Sequence, residues 1–147
     1  MPYNIKASGL IAEAAALDLT IAGRALTPYI PANLMANGSA FAARYDDDIV
    51  LTWSPRYRGK GAGIGLPGTV LADADREGLF RVEVYVAAAL VRTTDAIDAA
   101  TWTYAEAMNI ADNGSPAVVV TFEVSDYRVE GGNMYESAQA EVICIKN

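Results

Sequence analysis

Four groups of residues have types and spacing that chemistry uses. Asp46-Asp47-Asp48 is a run of adjacent carboxylates, oxygen donors that suit a hard cation such as calcium. An EF-hand loop instead alternates its acids over about twelve residues and closes on a glutamate. Nothing here fits that pattern, and acids ahead of an apolar strand predict a solvated turn. Asp73, Asp75 and Glu77 alternate, which in an extended segment puts the carboxylates on one side. Acid/base work by paired carboxylates needs a rigid cleft, and a glycine-flanked segment is a poor platform for one. Gly59-Lys60-Gly61-Ala62-Gly63-Ile64-Gly65 has glycines spaced as in phosphate cradles. It matches neither GxxxxGK[ST] nor a strand-to-helix GxGxxG, so it reads as a flexible basic loop. Trp53 and Trp102 could stack on sugar rings, yet Trp53 is in phase with Ile49 and Leu51, and both read as core.

What is missing narrows the chemistry further. The sequence has no histidine, which removes the commonest general base and transition-metal ligand, and leaves Ser54 and Ser115 without a histidine to activate them. Cys144 has no second cysteine for a disulfide or a CxxC pair and reads as a buried small hydrophobe. No enzyme activity, cofactor or metal is expected.

The length, 147 residues, suits one domain, and 52% hydrophobic against 20% charged residues is a folding composition. A formal charge of −7 argues against nucleic acid as a partner, because affinity for that polyanion comes from Lys and Arg displacing counterions. Lys6, Glu13, Asp18 and Arg24 interrupt the N-terminal apolar stretches well short of the roughly 20 residues of a membrane span, and no secretory leader pattern precedes them. The expectation is a soluble protein made in the cytoplasm, with no membrane insertion.

The elements that must position these residues are mostly strands. Near the N-terminus a short strand over Tyr3 to Ala7 and another reaching Ile21 are expected, with a brief helix or loop between them. Thr27-Pro28-Tyr29-Ile30-Pro31 then enforces extended geometry. From Ala32 onward the hydrophobic period is two. Ile49, Leu51 and Trp53 share one face until Pro55 ends the ladder. Leu79 to Val86 alternates cleanly, with Phe80, Val82, Val84 and Val86 inward and Arg81, Glu83 and Tyr85 outward. Shorter strands follow at Leu90 to Thr94 and Thr101 to Tyr104. A helix over Ala105 to Asp112 stops at Asn113-Gly114. In Ala117 to Tyr127, Val118, Val120, Phe122 and Val124 share a face, with Thr121, Glu123 and Ser125 opposite. Gly131-Gly132-Asn133 turns the chain into a last strand over Ser137 to Ile145. Six or seven short strands separated by turns predict an antiparallel sandwich.

One connection is long. Pro55 to Gly78 spans 24 residues with six glycines, and loops of that length in a small domain are commonly functional. Its basic start, Arg56, Tyr57, Arg58 and Lys60, suits an acidic patch on a neighbouring protein.

Several segments in order resemble a known family: Arg24 to Leu34; Ile49-Val50-Leu51-Thr52-Trp53-Ser54-Pro55-Arg56-Tyr57-Arg58; a glycine-rich loop; Phe80 to Val86; Leu90 to Thr94; Trp102-Thr103-Tyr104-Ala105-Glu106-Ala107; and Val120 to Ser125. Together they resemble the fibronectin type III-like domain of siphophage tail-tip hubs and of the related gene-transfer-agent hub, over about Leu17 to Ile145. The family's acidic stretch at the end of the long loop is replaced here by Gly65-Leu66-Pro67-Gly68-Thr69-Val70, so loop function does not carry over.

The resemblance implies an all-β fibronectin III/immunoglobulin-like antiparallel sandwich over residues 29–147, with one short helix and an extended N-terminal arm over 1–28. The expected function is structural: a virion component of a phage tail tip or baseplate, at the distal tail, present in several copies. It would dock on the tail hub and other tail-tip proteins. Tyr3 and Ile5 of the arm, with Arg56, Tyr57, Arg58 and Lys60 of the loop, are the expected partner-binding residues. The alternative is a receptor- or carbohydrate-binding module that touches the host surface, for which Trp102, Tyr57 and Tyr85 would have to share one exposed patch. A carboxylate-based hydrolase is the third reading, and it requires Asp73, Asp75 or Glu77 to converge with another acid.

Overall fold

A computed structural model describes residues 2–5, 17–20, 27–56 and 78–147. Two N-terminal strands, β1 (Pro2–Ile5) and β2 (Leu17–Thr20), pair antiparallel with each other in a ladder separate from the other sheets. The sandwich begins with β3 (Ala32–Ala36), β4 (Ala43–Tyr45) and β5 (Ile49–Ser54). After the long connection come β6 (Leu79–Val86), β7 (Ala89–Ile97) and β8 (Thr101–Tyr104). The helix α1 (Glu106–Asn113) precedes β9 (Val119–Glu130), β10 (Asn133–Glu136) and β11 (Ala140–Lys146).

These strands form two packed sheets. One has the order β3-β5-β8; the other runs β4-β11-β9-β6-β7, with β10 pairing on β9. Alternation along each strand supplies the core: Ile49, Leu51 and Trp53 from the smaller sheet meet Phe80, Val82, Val84, Val120, Phe122, Val124, Val142 and Cys144 from the larger one. Edge-to-face aromatic contacts cross the core between Trp53 and Phe80 at 5.1 Å and between Tyr104 and Phe122 at 5.7 Å. Such pairs add to the area they bury because ring edges are positive and faces negative.

Several expectations change. β4 pairs parallel with β11, so the sandwich is not antiparallel throughout. A chain that leaves one sheet for the edge of the other can meet the last strand in that direction. Val118 does not share the buried face; it is 69% exposed because β9 starts one residue later. Ser125 is buried rather than outward, since Glu136 of β10 folds over it and accepts its hydroxyl at 2.6 Å. The expected last strand, Ser137 to Ile145, begins later, at Ala140, because Ser137 is taken up by Asp126: its N–H donates to the Asp126 carbonyl and its hydroxyl oxygen accepts from the Asp126 N–H. The helix is displaced by one residue from its expected span and ends in Gly114 at φ 79°.

Among the described residues, the two-residue turns at Asn37-Gly38, Ala87-Ala88 and Gly131-Gly132 use left-handed backbone. Asn37-Gly38, at φ 47° and 77°, closes a two-residue hairpin in which Ala36 and Ser39 exchange backbone hydrogen bonds. This is the residue pair such a turn favours. The β6–β7 turn has the same signs at Ala87 and Ala88, φ 49° and 63°, with residues that favour it far less.

Candidate docking surfaces

The structure describes the expected partner-binding residues unevenly. Tyr3 and Ile5 lie on β1, opposite Leu19 and Leu17 of β2. Arg56 follows the end of β5, where Pro55 has stopped the ladder, and its guanidinium sits over the Tyr29 ring at 5.5 Å. That cation–π contact ties the start of the long connection to the segment leading into β3. Tyr57, Arg58 and Lys60 lie outside the described residues, as do the glycine-rich run and Asp73, Asp75 and Glu77.

The triple-aspartate turn is exposed, and its carboxylates are used one at a time. Asp46 accepts from the side-chain amide of Asn147 at 3.0 Å, and its carbonyl accepts from Lys146 at 2.8 Å. Asp48 accepts the backbone N–H of Glu106 at 2.8 Å. It therefore caps α1 from a distant segment, satisfying a donor that Ala105 at the helix start cannot serve. Among the described residues no group of three or more Cys, Asp or Glu is arranged to hold a metal ion. Among them too, no helix is long and apolar enough to cross a membrane.

Charged groups also brace the helix against both sheets. Arg92 of β7 makes a bidentate pair with Asp112 at 2.8 and 2.7 Å, and the Tyr104 hydroxyl of β8 donates to the same carboxylate at 2.8 Å. The guanidinium holds the Asp112 carboxyl below its ordinary range, and burial with the Asp112 contact pushes the Tyr104 hydroxyl well up. Beneath α1, buried Asn109 donates to the Tyr45 hydroxyl at 3.1 Å and accepts the Ala117 N–H at 3.0 Å, while the Tyr45 hydroxyl donates to the Ala117 carbonyl. Burial raises the Cys144 thiol pKa, which disfavours the reactive thiolate.

Among the described residues, Trp102 and Tyr85 do not share a platform. Trp102 is opposite Leu51 on the inward side of the smaller sheet, half-buried and stacked on Tyr104 at 5.9 Å. Tyr85 is opposite Thr121 on the outward side of the larger sheet. Burial and the neighbouring Glu83 push its hydroxyl up to about 12.

No family model matches the sequence, and no curated protein matches it. Among solved structures, the extracellular region of rat CD45, domains d3–d4, superposes with a TM-score of 0.51 at 13% identity, covering 97% of this chain and 62% of that one. The fold is a fibronectin III-like sandwich. At that identity the likeness concerns the fold alone, and the chain spans less than two thirds of the length of the CD45 fragment.

Sequence reasoning missed the row formed by Glu83, Glu123 and Glu141. Each was visibly polar, but they become neighbours only through the register of β6, β9 and β11. Asp48 as a helix cap was missed for the same reason, its partner lying 58 residues away.

Proposed function

We propose that the protein is a non-catalytic structural component of a phage tail tip or baseplate, docking on the tail hub and neighbouring subunits. The supporting observation is where the resembling segments lie. Ile49-Val50-Leu51-Thr52 of β5 pairs directly with Thr101 to Tyr104 of β8, which leads into the corner of α1. Two of the segments that carry the likeness to tail hubs are thus neighbours in one sheet. Around it the sandwich offers rigid faces and sheet edges, which suit assembly by main-chain pairing and side-chain packing. The strands β1 and β2 supply main-chain groups separate from both sheets. The glycan-binding alternative has less support, because Trp102 lies on the inward side of the smaller sheet and Tyr85 on the outward side of the larger one.

The test is the composition of purified tails. The protein should be found at the distal tail by cryo-electron microscopy, and a variant lacking residues 1–28 should keep a folded sandwich but be lost from particles. Absence of the full-length protein from tails would overturn the assignment; normal incorporation of the shortened variant would remove the arm from it.

A further inference from the structure

The outward face of the larger sheet carries side chains in register across its strands. One row runs from Leu90 of β7 through Tyr85 of β6 and Thr121 of β9 to Ile143 of β11. Leu90 and Ile143 are about half exposed, at 51% and 44%. Beside it, Val119 pairs with Ile145, and Ile145 with Arg44, extending the apolar strip toward the β4 edge. On the other side the next row is Thr93, Glu83, Glu123 and Glu141. Three carboxylates therefore stand directly opposite one another on three adjacent strands.

Like charges placed this way repel, and the one cation coupled to the row, Arg81, attracts Glu83 only weakly beside its closer partners. Arg81, one row along, is held by Asp95 at 2.5 Å and Glu136 at 3.0 Å, with its guanidinium over Tyr127. The donors that reach Glu83 are neutral: the Tyr85 hydroxyl at 3.1 Å and the Gln139 amide at 2.8 Å. Burial together with Glu83 and Glu141 raises the pKa of the middle carboxyl, Glu123. The sheet face thus joins an apolar strip to an anionic rim whose middle carboxylate, Glu123, has no cation among the causes of its shift.

We propose that this face docks a protein segment carrying a stripe of lysine or arginine side chains beside an apolar stripe, an amphipathic helix laid across the strands. Charge decides the sign of the partner. A second copy of this chain, itself at −7, would set glutamates against glutamates. Spacing decides the shape. Neighbouring strands are about 4.8 Å apart, so the carboxylates repeat at roughly that step. Helix residues at i, i+3 or i+4 lie about 5–6 Å apart, whereas alternate residues of an extended strand step by roughly 6.6 Å or more. Three basic residues on one helix stripe can therefore meet all three glutamates while the adjacent leucines cover Tyr85, Thr121 and Ile143. This inference goes beyond the tail-tip assignment and stands or fails without it, since its test uses no virion.

The probe is a capped synthetic helical peptide with lysines at i, i+4 and i+7 and leucines on the neighbouring stripe, titrated into the full-length protein by calorimetry and NMR. Expected are shifts centred on Tyr85, Thr121, Glu123 and Ile143. The triple variant Glu83→Gln, Glu123→Gln, Glu141→Gln, which relieves repulsion and so retains the fold, should bind at least tenfold more weakly. Ile143→Ser should bind at least threefold more weakly. A control removing the same charge elsewhere, Asp47→Asn, Asp98→Asn, Glu130→Gln, should change affinity less than twofold. No binding, shifts centred on another surface, no effect of Ile143→Ser, or equal losses in the two triple variants would each overturn the proposal.

Discussion

At the residue scale, Glu123 shows how a surface side chain acquires unusual energetics from its neighbours. Flanked by Glu83 and Glu141 and partly buried, its carboxyl titrates above the ordinary range. A group whose folded pKa is raised favours the native state below its unfolded value of about 4.3 and loses that contribution as pH rises through the folded value. At pH 7 the ionised glutamate is therefore a net cost. Glu123→Gln should stabilise the protein at pH 7 by roughly 0.2–1 kcal/mol, and the gain should vanish near pH 3, when the wild-type carboxyl is protonated in both states. Urea denaturation at the two pH values checks this; an equal gain at both would mean the like-charge row is not the cause.

At the scale of elements, turn chemistry and capping separate what local sequence signals from what distant segments supply. Ala87-Ala88 adopts a backbone that Asn-Gly prefers. Replacing the pair by Asn-Gly should stabilise the β6–β7 hairpin by about 1–2 kcal/mol, read as a rise in thermal midpoint; no rise would count against strain at this turn. Helix α1 presents the opposite case, for its cap comes from Asp48, far away in sequence. Asp48→Ala should cost about 1 kcal/mol and increase amide exchange in the first turn of α1, while leaving β5 protected. Unchanged exchange there would rule out capping by Asp48.

At the scale of the whole molecule, Arg92, Asp112 and Tyr104 join the edge strand of one sheet, the helix and the edge strand of the other. Because Arg92 lowers the Asp112 carboxyl, the stability it contributes is present above the unfolded aspartate value of about 3.9 and is lost as pH falls through the lower folded value. Asp112→Ala should cost about 2 kcal/mol at pH 7 and less at pH 2. A cost independent of pH would point to packing rather than charge.

Much of this architecture was legible in the residues themselves. Period-two alternation located β5, β6, β8 and most of β9, and placed Leu51, Trp53, Phe80, Val82, Val84 and Phe122 in the core, because a strand burying one face must alternate. Asn113-Gly114 marked the helix end, since glycine tolerates the left-handed backbone found there. The short strands β3, β4 and β10 were not named. Three to five residues carry too little periodicity, although Asn37-Gly38 was an available turn signal. Local sequence could also exclude a histidine-dependent site, because residue types alone decide that. Only the tertiary structure determined the parallel β4–β11 pair, the Asp48 cap, the helix brace and the glutamate row. Each depends on strand register and sheet packing, which bring together residues far apart along the chain.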